Sequence, residues 1–194
     1  MLTSSVFVGI LIGLLRRGSM LKLASLRARL WWLLLLAFLA KFIAVKLHGA
    51  GIQDMSGLML YVQAGVYFVS ILFIVLNRHL PWMKLILVGT LSNAAVVMLN
   101  GGRMPVSEDA LVVLGKLQRV EELRQGQDAM HSLVGEDTIA PFLGDGILVQ
   151  SPINTIVSIG DVLVMVGVIL LIGAVMTSAD YIVKSRPIRH SNGL

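Results

Sequence analysis

The chain has 194 residues, of which 56% are hydrophobic and 14% charged, with a mean hydropathy of +0.84. Soluble domains are roughly 45–50% apolar and about 25% charged, so a water-soluble globule of this composition would expose more apolar surface than solubility tolerates. That excludes a soluble enzyme, a nucleic-acid-binding domain and a disordered chain, and leaves an all-α membrane protein. The net charge of +5 sits at the ends of apolar runs, as membrane topology requires and nucleic-acid binding does not. The absence of cysteine removes disulfides, thiol nucleophiles and cysteine-ligated metal.

Five apolar runs follow one another, at about 2–15, 30–47, 58–76, 82–99 and 162–179. A spanning helix needs roughly 17–25 residues. Runs two to five satisfy this, and the short first run must snorkel its flanking arginines, thin the bilayer or reach part-way. A signal peptide carries its basic residues before the apolar stretch; here Arg16 and Arg17 follow it, which points to a retained helix. Between runs one and two, Met20 to Arg29 alternates leucines with bases, as an interfacial amphipathic helix or as a plain basic loop.

Threading five spans alternately puts ten bases on one side: Arg16, Arg17, Lys22, Arg27, Arg29, Arg78, Lys84, Lys184, Arg186 and Arg189. The 100–160 segment falls on the other side with four bases and eight acids. The positive-inside pattern then sets the N-terminus outside and the basic 180–194 tail inside. The whole of 1–194 reads as one integral membrane domain, a five-helix bundle in the inner (cytoplasmic) membrane with a partly helical outer segment.

In that outer segment Ser107, Glu108 and Asp109 make a helix start, and Leu111, Leu114, Leu117, Val120 and Leu123 recur every three residues before Gly126. This predicts one helix, lying on the membrane surface or capping the bundle. Pro141, Gly144, Gly146 and Pro152 punctuate the turns that follow.

Polar groups in or beside lipid need a partner or a purpose. Asn93 and Asn100 share a face of span four, and Asn100-Gly101-Gly102-Arg103 closes it. The two glycines and the guanidinium suit an anion; equally, Asn-Gly-Gly is a helix C-cap and Arg103 a snorkelling or paired side chain. Asp161 at the start of span five and Asp145 in Phe142-Leu143-Gly144-Asp145 bring carboxylates to the same side, and an Arg103–Asp161 pair is expected there. Lys41 lies deep in span two, with Lys46 nearer its outer end. Gln63, Ser70 and Asn93 suit helix–helix hydrogen bonds, and Gly65, Gly89, Gly167 and Gly173 close helix approach. His48, His79, His131 and His190 have no i, i+4 histidine partner, so neither a metal nor a cofactor is called for. His131, with Ser132, Asp128 and Asp145, permits an acid–base proposal.

Asn-Gly-Gly-Arg-Met-Pro-Val-Ser (100–107), Phe-Leu-Gly-Asp (142–145) and Ser-Ile-Gly-Asp-Val-Leu (158–163) give the chain a resemblance to an uncharacterised bacterial membrane-protein family, one of the numbered domains of unknown function. The resemblance extends from the short first span to about Ala179 and departs from the family at Gly146–Pro152, where members often carry more proline. It implies an inner-membrane location and an outer face bearing the signature residues; it implies no activity.

The expected function is an accessory or binding membrane protein. Its outer-face site, formed by Asn93, Asn100, Gly101, Gly102, Arg103, Asp145 and Asp161, would hold an anionic lipid headgroup or a membrane-protein partner. A transporter or flippase component, and an interfacial enzyme using His131 and the outer carboxylates, stand as alternatives.

Overall fold

A computed structural model describes residues 2–26, 28–49, 56–150 and 154–178. The basic tail lies outside the described residues, as do Arg27, Pro152 and His190. Each apolar run folds as a helix: α1 (Leu2–Leu15), α3 (Trp31–Gly49), α4 (Ser56–Leu76), α5 (Met83–Leu99) and α8 (Ile159–Thr177). Three of them are long and apolar enough to cross a membrane, over Trp31–His48, Gly57–Leu76 and Ile159–Thr177; α1 and α5 are shorter apolar helices. The last helix starts three residues before the apolar run does, because Ser158 caps it and Gly160 and Asp161 belong to its first turn. Among the described residues between α1 and α3, only α2 (Met20–Ala24) is helical.

The helices pack side by side in the order α1, α8, α5, α4, α3. Glycine sets the closest approaches. A Cβ on Gly167 would lie 2.5 Å from the Ile86 side chain, and one on Gly9 would lie 3.0 Å from Ile172. Gly65 and Gly173, expected at similar contacts, face open space. At the α4–α5 turn the buried Asn77 side chain pairs with the Arg29 backbone, accepting from its N–H at 2.7 Å and donating to its carbonyl at 2.9 Å. It thereby fixes the start of α3 to the α4–α5 corner. The other faces of the helices carry large exposed apolar side chains such as Phe7, Phe42 and Phe68.

Residues 100–150 and 154–158 form a cap over the ends of α3, α4 and α5. Strand β1 (Met104–Val106) pairs in parallel with β2 (His131–Leu133), and β3 (Ile147–Val149) pairs antiparallel with β4 (Thr155–Val157). Helices α6 (Glu108–Val113) and α7 (Leu117–Arg124) lie between β1 and β2. The single helix predicted over this stretch is therefore two. Ser107 caps the first as expected, accepting from the Ala110 N–H at 3.3 Å, but Gly115 at φ +69° breaks the chain. The reason is angular. A period of three drifts by about 60° per step around an α-helix, so these leucines cannot share one face. With the break, Leu111, Val120 and Leu123 close on Val106 in a small core, while Leu117 stays exposed. The cap is seated on the helices through Ala129 between Ala44 and Met59, and through Met104 on Val96 and Val97.

Candidate functional site

The site begins where α5 crosses the first turn of α8. Ser158 Oγ accepts from the Asp161 N–H at 2.9 Å and donates to Asn93 Oδ1 at 2.8 Å. Asn93 Nδ2 in turn donates to Asp161 Oδ1 at 2.7 Å. Both ends of the amide are committed, which fixes its orientation and holds the carboxylate at a helix N-terminus, where the dipole favours negative charge. The crossing is glycine-dependent. A Cβ on Gly89 would lie 2.5 Å from the Gly160 carbonyl, and one on Gly160 would run into the Asn93 amide.

Asp161 and Asn93 open into a cavity of about 430 Å³. Its floor is α4 and α5, and α3 and α8 stand as its walls. Six polar side chains line it, Lys41, Tyr67, Ser70, Thr90, Asn93 and Asp161; the remainder is apolar and extends to Leu26 and Leu80 at the far end of α5. The hydroxyls of Ser70 and Thr90 donate to carbonyls of their own helices, at Val66 and Ile86, so neither makes the helix–helix bond expected of Ser70. Gln63, also expected there, instead reaches the cap, donating to the Gly102 carbonyl at 3.4 Å. Lys41 forms no ion pair among the described residues. Tyr67 was not singled out from the sequence, because one aromatic in an apolar run carries no signal of facing a cavity.

The expected Arg103–Asp161 pair is not formed. Asp161 is held by Asn93 and Ser158, and Arg103 takes part in no ion pair among the described residues. Asn100-Gly101-Gly102 is a helix terminus: Gly101 at φ +66° turns the chain and the Gly102 N–H bonds back to the Val97 carbonyl at 2.8 Å. Asn100 exchanges two bonds of 2.9 Å with the Ile139 backbone and so ties down the cap. Gly102 passes so close to α4 that a Cβ would lie 2.8 Å from the Leu60 backbone. These three residues are engaged in structure.

Asp145 extends the small sheet beside β1, its N–H donating to the Pro105 carbonyl at 2.8 Å. Its carboxyl Oδ1 is buried and has no hydrogen-bond partner among the described residues. Burial, then the charge of Asp161, pushes this carboxyl up to about 7, with His131 pulling the other way. Asp145 and Asp161 therefore act on one another across the cap–helix junction. Nearby, Asp128 accepts from the Met130 and His131 N–H groups at 2.5 and 2.7 Å and pairs with Arg119. Burial opposes its charge, but His131 and these backbone bonds hold it well below the usual carboxylate range. His131 Nδ1 lies 3.2 Å from Asp128. This cluster fastens α7 to β2.

The sequence pattern of a family of unknown function, DUF5317, matches residues 25–173. The chain belongs to the DUF5317 family. The matched stretch takes in α3 to the greater part of α8, including the cavity and the cap, while α1 and α2 precede it. An uncharacterized protein of Thermotoga maritima is 33% identical over 101 residues, 51% of this chain and 55% of that protein. The alignment thus spans about half the length of that relative. No solved structure matches this chain.

Proposed function

We propose that this DUF5317 member is a multi-pass protein of the bacterial cytoplasmic membrane that binds a membrane amphiphile in the cavity between α3 and α8. All five apolar helices thread the bilayer in alternation, with the cap outside and the 180–194 tail inside, as the distribution of basic residues favours. One observation carries the binding reading: the cavity is apolar along most of its length and polar at the level of Asp161, Asn93 and Lys41. A solute pore would be polar throughout, and a packing void would lack charged walls. A long apolar tail with a polar head matches the lining in order. This reading puts the site in the groove beneath the outer face, where Asn100, Gly101 and Gly102 are engaged in structure. A component that moves the amphiphile between leaflets is the second reading, favoured by the reach of the cavity from the cap side to Leu80.

The test is native mass spectrometry of the chain extracted gently from its own membrane, beside a cavity-filling Val168→Trp variant. The wild type should carry one stoichiometric lipid and the variant none. A wild-type chain that arrives without lipid under conditions where it stays folded refutes the reading.

A further inference from the structure

We infer that the head the cavity selects is a zwitterionic aminophospholipid of the bilayer, its phosphate at Lys41 and its ammonium at Asp161. This rests on the amphiphile-binding reading above and adds the class of ligand. The cavity wall holds one cation and one anion, Lys41 on α3 and Asp161 on α8, which form no ion pair with one another. Lys41 lies eight residues before Gly49, the last of α3, and Asn93, which grips Asp161, lies six before Leu99, the last of α5. Neither charge meets an opposite one among the described residues, so an occupant that answers both charges is favoured over one that answers either.

This selects among lipid heads. A phosphate without a cation meets Lys41 but is repelled by Asp161; a simple amine meets Asp161 but is repelled by Lys41; a neutral glyceride leaves both unanswered. A phosphate joined to an ammonium by a short linker satisfies the two together. Asp161 spends Oδ1 on Asn93, which leaves Oδ2 to accept from an N–H of the ligand. A choline head has the same charges but no N–H to give, so it is the weaker ligand. The apolar cavity toward Leu26 and Leu80 then takes an acyl chain.

The experiment reconstitutes the full chain in nanodiscs of equimolar phosphatidylethanolamine, phosphatidylcholine and phosphatidylglycerol with matched acyl chains, and reads the retained lipid by native mass spectrometry. The wild type should retain phosphatidylethanolamine at least fivefold over either competitor. Asp161→Asn removes the negative wall and should turn the preference to phosphatidylglycerol. Lys41→Gln should lower retention of phospholipids of all three classes at least tenfold while the thermal midpoint stays within a few degrees; it also serves as the test should Asp161→Asn fail to fold. Retention in the ratio of the bilayer, or a wild-type preference for the glycerol or choline lipid, overturns the aminophospholipid assignment and leaves the amphiphile reading standing. Retention of no lipid by a folded wild type overturns both.

Discussion

Replacing Asp145 by Asn should stabilise the protein at alkaline pH and do much less in acid. The carboxyl is buried with Oδ1 unpartnered and faces the charge of Asp161, and these two effects lift it to about 7 from an ordinary 3.8. A group raised on folding contributes stability that is fully present below its unfolded value and is lost as pH rises through the folded one. At 1.36 kcal/mol for each tenfold change, ionised Asp145 costs the fold on the order of 4 kcal/mol above pH 8 and on the order of 1.5 kcal/mol at pH 5. Asparagine has the same shape and does not ionise. Its advantage over Asp145 should therefore grow by about 2–3 kcal/mol between pH 5 and pH 8, or several degrees in thermal midpoint for a chain of this length. Thermal unfolding in detergent of both proteins across that range is the assay. Parallel curves, with the same gap at both ends, would show that Asp145 is not held as a neutral acid.

Asp128 should respond in the opposite sense. Its carboxyl is lowered on folding, so its contribution is present above the unfolded value and disappears as pH falls below about 4 toward the folded one; Asp128→Asn should lose stability at pH 7 and converge on the wild type in acid, read by the same melts. Gly160→Ala should cost several kcal/mol or abolish folding, because its Cβ meets the Asn93 amide and the Gly89 carbonyl, whereas Gly173→Ala, which faces open space, should be neutral or stabilising by up to about 1 kcal/mol. Asn77→Ala should cost roughly 2–4 kcal/mol by leaving the Arg29 backbone groups unpaired at a buried corner. Equal midpoints for wild type and Asn77→Ala would refute that role.

The apolar helices were legible from the sequence because helix length and hydropathy are properties of one segment at a time. Their boundaries fall within three residues of the apolar runs, and the largest difference, at Ile159, comes from a cap whose hydroxyl lies outside the hydropathy pattern. What depends on rotation about the helix axis was not legible. Gly89 and Gly167 lie at contacts and Gly65 and Gly173 do not, although all four sit in similar apolar surroundings. Lys41 shows the same limit: sequence depth marks it as buried in a span, while only the placement of α3 opposite α8 makes it part of a cavity wall. The expectation of an Arg103–Asp161 pair failed because it weighed charge and ignored geometry. Asn93 already binds the Asp161 carboxylate while Ser158 accepts from its backbone N–H, and the turn made by Gly101 and Gly102 sends the chain at Arg103 on into β1.

The glycines and the charges of this site belong to one device. Asp161 faces the cavity only because α8 begins at the level of Asn93, and α8 can begin there only if Gly160 and Gly89 let the two backbones meet. Asn93 then performs two tasks that an apolar residue could not combine: it holds the N-cap serine and it orients the carboxylate. A buried amide with both ends committed resists rotation, so one oxygen of Asp161 is fixed to protein and the other is left toward the cavity. Selectivity for a head at Asp161 would therefore be sensitive to Gly89 as well as to Asp161 itself. Gly89→Ala should displace the start of α8 and lower lipid retention, whereas Gly65→Ala, on the open face of α4, should lower neither retention nor stability. If both glycine variants retained lipid equally, the helix crossing would be a matter of packing alone, and the orientation of Asp161 would have to come from the cap.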